Sequence, residues 1–271
     1  LGNTYLAEKK EDLALKSYDQ LINESKNGSY AAKANLRQGL IYYNSKKDEL
    51  ALAKFKKITA EYPNTPEALE AVTTARLIYV DNGKVSEYAT WVKTLNFVDI
   101  SDADLDNDTY ESAEKQYLQN NIKQSIPSFK SYISSFPNGI HALQANFYLA
   151  QAYFSEGQEK QSIPNYEYVT AKSRNEFTEQ SLARLAQIYL KTKDYAKTTE
   201  VLKRLETEAD YPQNVTYAQS NLMKTYYEQK DYTNAVIYAD KVLANAKADD
   251  KVKADAQIIV ARSAIQTNDE V

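Results

Sequence analysis

The chain has 271 residues, 43% hydrophobic and 26% charged, with a formal net charge of −4, and this mildly acidic balance argues against nucleic acid or an anionic membrane as its main partner. It has no cysteine and a single histidine, which excludes thiol nucleophiles, zinc–thiolate clusters and multi-histidine metal sites. Few glycines and prolines, six of each, fit a nearly all-helical protein, and no apolar run is long enough to span a bilayer.

Along the chain a tyrosine recurs with a period of about 37, at Tyr5, Tyr42, Tyr79, Tyr153, Tyr189 and Tyr226, with Gln116 in the skipped slot. Such a period is the signature of a solenoid, whose repeats bury their apolar faces only by stacking on neighbours. Three residues before each clock position the side chain is usually small (Gly2, Gly39, Ala113, Ala150, Ala186). Nine residues after it another small residue usually follows (Ala14, Ala51, Ser125, Ser162, Thr198, Ala235). Large apolar residues come four later (Tyr18, Phe55, Phe129, Tyr166, Leu202), and again three beyond those. Small residues at two points let paired antiparallel helices approach closely, while the large ones fill the layer to the next repeat.

Spacings of three, four and seven predict helices throughout. In chain order, Leu1 falls inside an initial first helix, followed by helices over 12–26, 30–44, 47–61, 66–82, 84–95, 107–119 and 122–135. The series continues over 141–156, 159–171, 178–192, 195–208, 215–229, 232–247 and 252–267, with Val271 just beyond. Because Leu1 lies within an element, the chain is expected to be a segment of a longer protein, forming one domain over 1–271. Pro127 and Pro164 occupy the same repeat position, so their second helices are expected to start late, proline being tolerated in a first turn.

The third repeat breaks the pattern: Arg76 and Tyr88 replace its small residues, and the sole tryptophan, Trp91, lies nearby. The expectation is a locally splayed pair with Tyr88 turned into an adjacent gap; the alternative is a deliberate bend or docking site. The joint that follows, NFVDISDADLDND at 96–108, imitates part of a calcium loop. Counted from Asp102, however, it lacks the turn glycine and the final glutamate, so no calcium site is expected. His141 opens a first helix at a joint, where a solvated or capping role is expected rather than catalysis.

LGNTY at 1–5, QGLIY at 38–42, LAQAY at 149–153 and LAQIY at 185–189 resemble the first-helix core of the tetratricopeptide repeat. Ala51, Phe55 and Pro63 resemble that family's second-helix alanine, aromatic and closing proline, and DYAKT at 194–198 and DYTNA at 231–235 its inter-helix turn. The resemblance covers nearly the whole chain and implies an all-α, right-handed α-α superhelix of about seven helix pairs with an extra terminal helix. Repeats of about 37 residues with joints such as EYPNTPEA at 61–68 look most like cell-envelope members, among them outer-membrane assembly lipoproteins, the Tol–Pal-associated periplasmic protein and large envelope repeat proteins of Bacteroidetes-type bacteria. A periplasmic or outer-membrane-associated location is therefore expected, with cytosol as the alternative and any attachment lying outside this segment.

No phosphate-binding glycine motif occurs, and nothing nominates catalytic residues or a cofactor. The resemblance implies a non-catalytic scaffold that captures a partner helix or extended peptide on the face formed by first helices. Groove positions there carry Tyr43, Tyr110, Tyr117, Phe147 and Phe154, with Gln144 and Gln151 alongside. Each aromatic pair is seven residues apart and shares a helical face. The paired basic residues with which chaperone-binding relatives clamp a C-terminal carboxylate are not reproduced, since Arg37, Arg184 and Lys224 are scattered. A glycan ligand, which would need flat exposed tyrosines, and a cytosolic module reading a signalling peptide are the other readings.

Overall fold

Apart from Gly39, Pro127 and Pro164, glycine and proline lie at helix ends or in joints, and the rest of the chain is free to coil. The computed structural model describes residues 1–25 and 28–268, and among them are fifteen α-helices and no strand. They form two compact units. The N-terminal unit, Leu1–His141, holds α1 (Gly2–Ala7), α2 (Glu11–Glu24), α3 (Ser29–Asn44), α4 (Asp48–Glu61), α5 (Pro66–Asp81), α6 (Val85–Val92), α7 (Asp102–Leu118) and α8 (Ile122–Ser135). The C-terminal unit holds α9 (Ala142–Ser155), α10 (Glu159–Thr170), α11 (Thr178–Thr192), α12 (Tyr195–Glu208), α13 (Pro212–Glu228), α14 (Tyr232–Ala244) and α15 (Asp250–Asn268). Odd-numbered helices are the first members of pairs and even-numbered ones the second. Val271, expected just past the last helix, lies outside the described residues.

The packing follows the order of small and large residues. Gly39 of α3 faces Phe55 of α4 so closely that a Cβ there would lie 2.5 Å from the ring. Gly2 stands in the same relation to Tyr18. In three further repeats the small position is alanine, and Ala113, Ala150 and Ala186 are fully buried with Phe129, Tyr166 and Leu202 at the partner position. Tyr189 and Tyr226 are buried, as the clock predicts, whereas Tyr153 is half-buried.

Each turn within a pair has the same backbone. Lys9, Lys46, Gly83, Asn120, Gly157, Lys193 and Lys230 all have φ between 57° and 71°. The amide of the residue after each donates to the clock residue's carbonyl at 2.8–3.0 Å, from Lys10→Tyr5 to Asp231→Tyr226. A left-handed residue with this return bond satisfies the open carbonyls of a helix end. The clock position is thus fixed twice, by its side chain in the layer and by its carbonyl in the turn.

Three expectations change. Pro127 and Pro164 lie inside α8 and α10, which do not start late. Each removes one helical bond, and the freed carbonyls belong to Lys123 and Lys160, both exposed residues. Second, α7 begins at Asp102, so the aspartates of 102–108 are helical and not part of a joint. Ser101 caps the helix by accepting from the Asp104 amide at 3.1 Å, and Asp104 Oδ2 accepts from the Ser101 amide at 3.0 Å. The Ser101 hydroxyl, which donates to Asp104 Oδ2 at 2.6 Å, and the Ser101 amide hold the Asp104 carboxyl below the usual range. Asp106 accepts from the Tyr132 hydroxyl at 2.5 Å and the Ile140 amide at 3.0 Å, while buried Asp108 receives Arg76 Nε at 2.8 and 2.9 Å. Third, Tyr88 does not turn away from its own pair: it is buried with its ring 5.9 Å from Tyr79 and 6.3 Å from Trp91. The third repeat does open on its far side, where a cavity of about 190 Å³ lies among α6, α7 and α8, floored by Val85 and Leu105.

Candidate partner-binding face

The first-helix residues expected to form a groove divide between the two units and differ in depth. In the N-terminal unit, Tyr43 is half-buried near the end of α3 with the Lys46 ammonium 5.9 Å from its ring centroid. Tyr110 is buried: its ring stacks on His141 at 4.2 Å and 10°, and its hydroxyl donates to Glu114 at 2.7 Å. His141 is accordingly a half-buried packing residue, with Nε2 3.1 Å from Asn107 Oδ1, and not a solvated one. Tyr117 is half-buried, edge-on to Phe129 at 6.2 Å.

In the C-terminal unit Phe147 is buried and stacked on Phe177 at 4.3 Å. Tyr110 and Phe147 are therefore struts within their units, and the half-buried rings, Tyr43, Tyr117 and Phe154, are those with surface to offer. Gln144 is half-buried, and Gln151 accepts a hydrogen bond from the Tyr166 hydroxyl at 2.7 Å. The Phe154 ring carries the Arg184 guanidinium 4.4 Å above its centroid. This contact is a cation–π attraction. It escapes helical periodicity because its members come from successive first helices, α9 and α11.

Arg184 also borders an open hollow of about 650 Å³ lined by the α10–α11 joint, the α11 face and the start of α13. At its rim Glu179 accepts from the amides of Asp210 and Tyr211 at 2.9 and 3.2 Å and from Asn214 Nδ2 at 2.6 Å. A carboxylate at the start of α13 complements the helix dipole and satisfies open amides. Arg174 donates to Asp210 at 2.5 Å and to the Glu208 carbonyl at 3.1 Å. These bonds join the loops that flank α11 and α13.

The clock residue Tyr189 of α11 donates to Glu167 of α10 at 2.7 Å, and Lys197 of α12 donates to the same carboxylate at 2.8 Å. Burial and this bond push the Tyr189 hydroxyl up to about 12. Burial alone would raise Glu167, but the bonds from Lys197 and Tyr189 outweigh it and hold the carboxyl below its ordinary value. Among the described residues no group of three or more histidine and carboxylate side chains is placed to hold a metal ion, and no helix is long and apolar enough to cross a membrane.

A family profile described as Tetratricopeptide repeat matches residues 33–65, which take in most of α3, all of α4 and the joint before α5. No curated protein matches the sequence. Among solved structures, the chain is similar to the C-terminal part of a TPR repeat-containing protein from Cytophaga hutchinsonii, with 15% identity, a TM-score of 0.42, and 94% of this chain and 97% of that one covered. It is also similar to PilF of Pseudomonas aeruginosa (12% identity, TM-score 0.41, 84% and 97% covered). A tetratricopeptide repeat protein from Parabacteroides merdae matches at 12% identity and a TM-score of 0.34, with 96% of each chain covered. The family match and the all-helical pairing agree with the tetratricopeptide resemblance of the sequence.

Proposed function

We propose that these tetratricopeptide helix pairs form a non-catalytic scaffold that holds a protein partner, as a helix or extended segment, on the first-helix face, in the envelope of a Bacteroidetes-type bacterium. The observation that carries this is the Phe154–Arg184 contact at the edge of an open hollow, with exposed Gln180 and Gln187 beside it. Interface energy concentrates in a few aromatic and arginine anchors, and neutral amides hydrogen-bond a partner's backbone without demanding a charged motif. A glycan is disfavoured, because the aromatics that would serve as flat platforms include Tyr110 and Phe147, whose faces are already stacked on His141 and Phe177.

The test is capture from native envelope extracts with mass-spectrometric identification, repeated with Phe154→Ala and, separately, Tyr117→Ala. Loss of an anchor is expected to weaken capture of the same protein by about 2 kcal/mol while leaving helicity unchanged. Full retention by both variants would place the contact elsewhere, and recovery of the native protein in the cytosolic fraction would refute the envelope location.

A further inference from the structure

The charges around the hollow in the C-terminal unit do not balance pairwise. Asp210 is paired with Arg174, and both oxygens of Glu179 are occupied at the start of α13. Arg184, half-buried on α11, has no carboxylate partner among the described residues. Its guanidinium lies over the Phe154 ring, and Nη1 donates to Gln187 Oε1 at 3.0 Å. A guanidinium set over a ring and held by a neutral amide keeps further donors, and the acceptor that matches such a fork is a carboxylate.

Resting on the scaffold reading, we infer that this hollow recognises one carboxylate within an extended peptide segment of the partner, with Arg184 as its charged contact. The volume, about 650 Å³, exceeds a single side chain and accommodates backbone on either side of the acid. Gln180 and Gln187 supply amide donors and acceptors for that backbone, and Tyr211, 61% exposed, offers a ring to the neighbouring side chain. Glu176 stands exposed on the α10–α11 joint and opposes a run of negative charge. The site thus selects a single acidic residue among neutral ones, not a polyacidic tract.

The probe is a random peptide library displayed on phage and selected against the chain, followed by synthetic peptides of the enriched sequences with free or amidated C-termini. Enrichment of one aspartate or glutamate is expected, with binding weakened about tenfold by Arg184→Gln, the loss of a single charge-assisted contact. Replacing the peptide's acid by its amide should cost the same, and the two changes together no more than either alone. If amidation has no effect, the carboxylate belongs to a side chain as inferred; if only the free C-terminus matters, the inference of an acid within the segment is overturned. Peptides that bind equally well with and without the acid, or equally to wild type and Arg184→Gln, overturn the inference and leave the scaffold reading standing. Failure to enrich any binding peptide overturns both. Arg184→Lys, which keeps the charge and loses the fork, should fall between the two and guards against a folding defect in the glutamine variant.

Discussion

Gly39 of α3 lies hard against Phe55 of α4, and adding one methyl group there sets two effects of opposite sign against each other. Alanine in a helix interior is favoured over glycine by about 1 kcal/mol. A Cβ at Gly39, however, would sit 2.5, 2.9 and 3.2 Å from Cε1, Cδ1 and Cζ of Phe55, where ordinary contact begins near 3.4 Å. Phe55 is fully buried, so its ring cannot swing into solvent, and α3 and α4 must part instead. Overpacking of this kind costs about 1–3 kcal/mol, and a clash of this depth lies at the upper end. The expected net effect of Gly39→Ala is a destabilisation of about 2 kcal/mol. Trp91 packs against the same apolar cluster as Phe55 and is the sole tryptophan, so its fluorescence in a urea titration reports on this cluster directly. Adding Phe55→Leu should recover part of the loss, because that pair then matches Ala186 with Leu202, which packs fully buried two pairs from the C-terminus of the same register. An unchanged or higher midpoint for Gly39→Ala would show that the small position is not set by helix approach.

Two further outcomes are expected. Lys193 ends α11 in the left-handed region at φ 57°, so Lys193→Gly should stabilise the C-terminal unit by about 1 kcal/mol, and Gly157→Ala should destabilise it by a similar amount, both read from chemical denaturation. The Tyr189 hydroxyl, raised from 10.0 to about 12 by burial and Glu167, stabilises the fold fully below pH 10 and loses that contribution as pH climbs toward 12. Thermal melts across that window should fall more steeply for wild type than for Tyr189→Phe; equal slopes would mean the hydroxyl is not held neutral by its surroundings.

What the sequence disclosed, and what it hid, divides between repeat bodies and joints. The order of small and large residues is legible because every repeat meets the same neighbour in the same way, and Ala14, Ala51, Ser125, Ser162, Thr198 and Ala235 are all fully buried as that order requires. The left-handed turns are just as periodic yet invisible as a residue pattern, since the requirement is a backbone conformation that lysine, asparagine and glycine all meet at these positions. Groove depth was hidden for another reason. Helical spacing assigns Tyr110 and Phe147 to a face but not to a depth, and the rings that cover them, His141 and Phe177, come from joints that lie outside the pattern of small and large helix residues.

The third repeat shows how a departure from the pattern can be absorbed by residues one repeat away. Arg76 stands where a small residue belongs, and its head, reaching toward α7, meets the carboxylate of buried Asp108 while Glu111 lies 3.5 Å from the same nitrogen. A buried carboxylate without that arginine would be strongly unfavourable, so the two departures make sense only together. Tyr88 at the second small position is buried beside Tyr79, and Trp91 packs on both rings. The helix that carries Tyr88 and Trp91, α6, is the shortest of the second helices, with only eight residues, and beside it lies the cavity among α6, α7 and α8. Asp106 and Asp108, which in sequence imitate a cation loop, thus serve packing: one receives Tyr132 and the other neutralises the intruding arginine. Acid-rich segments in a helical repeat are better judged by which side chains one repeat away need an acceptor than by their likeness to a metal-binding loop.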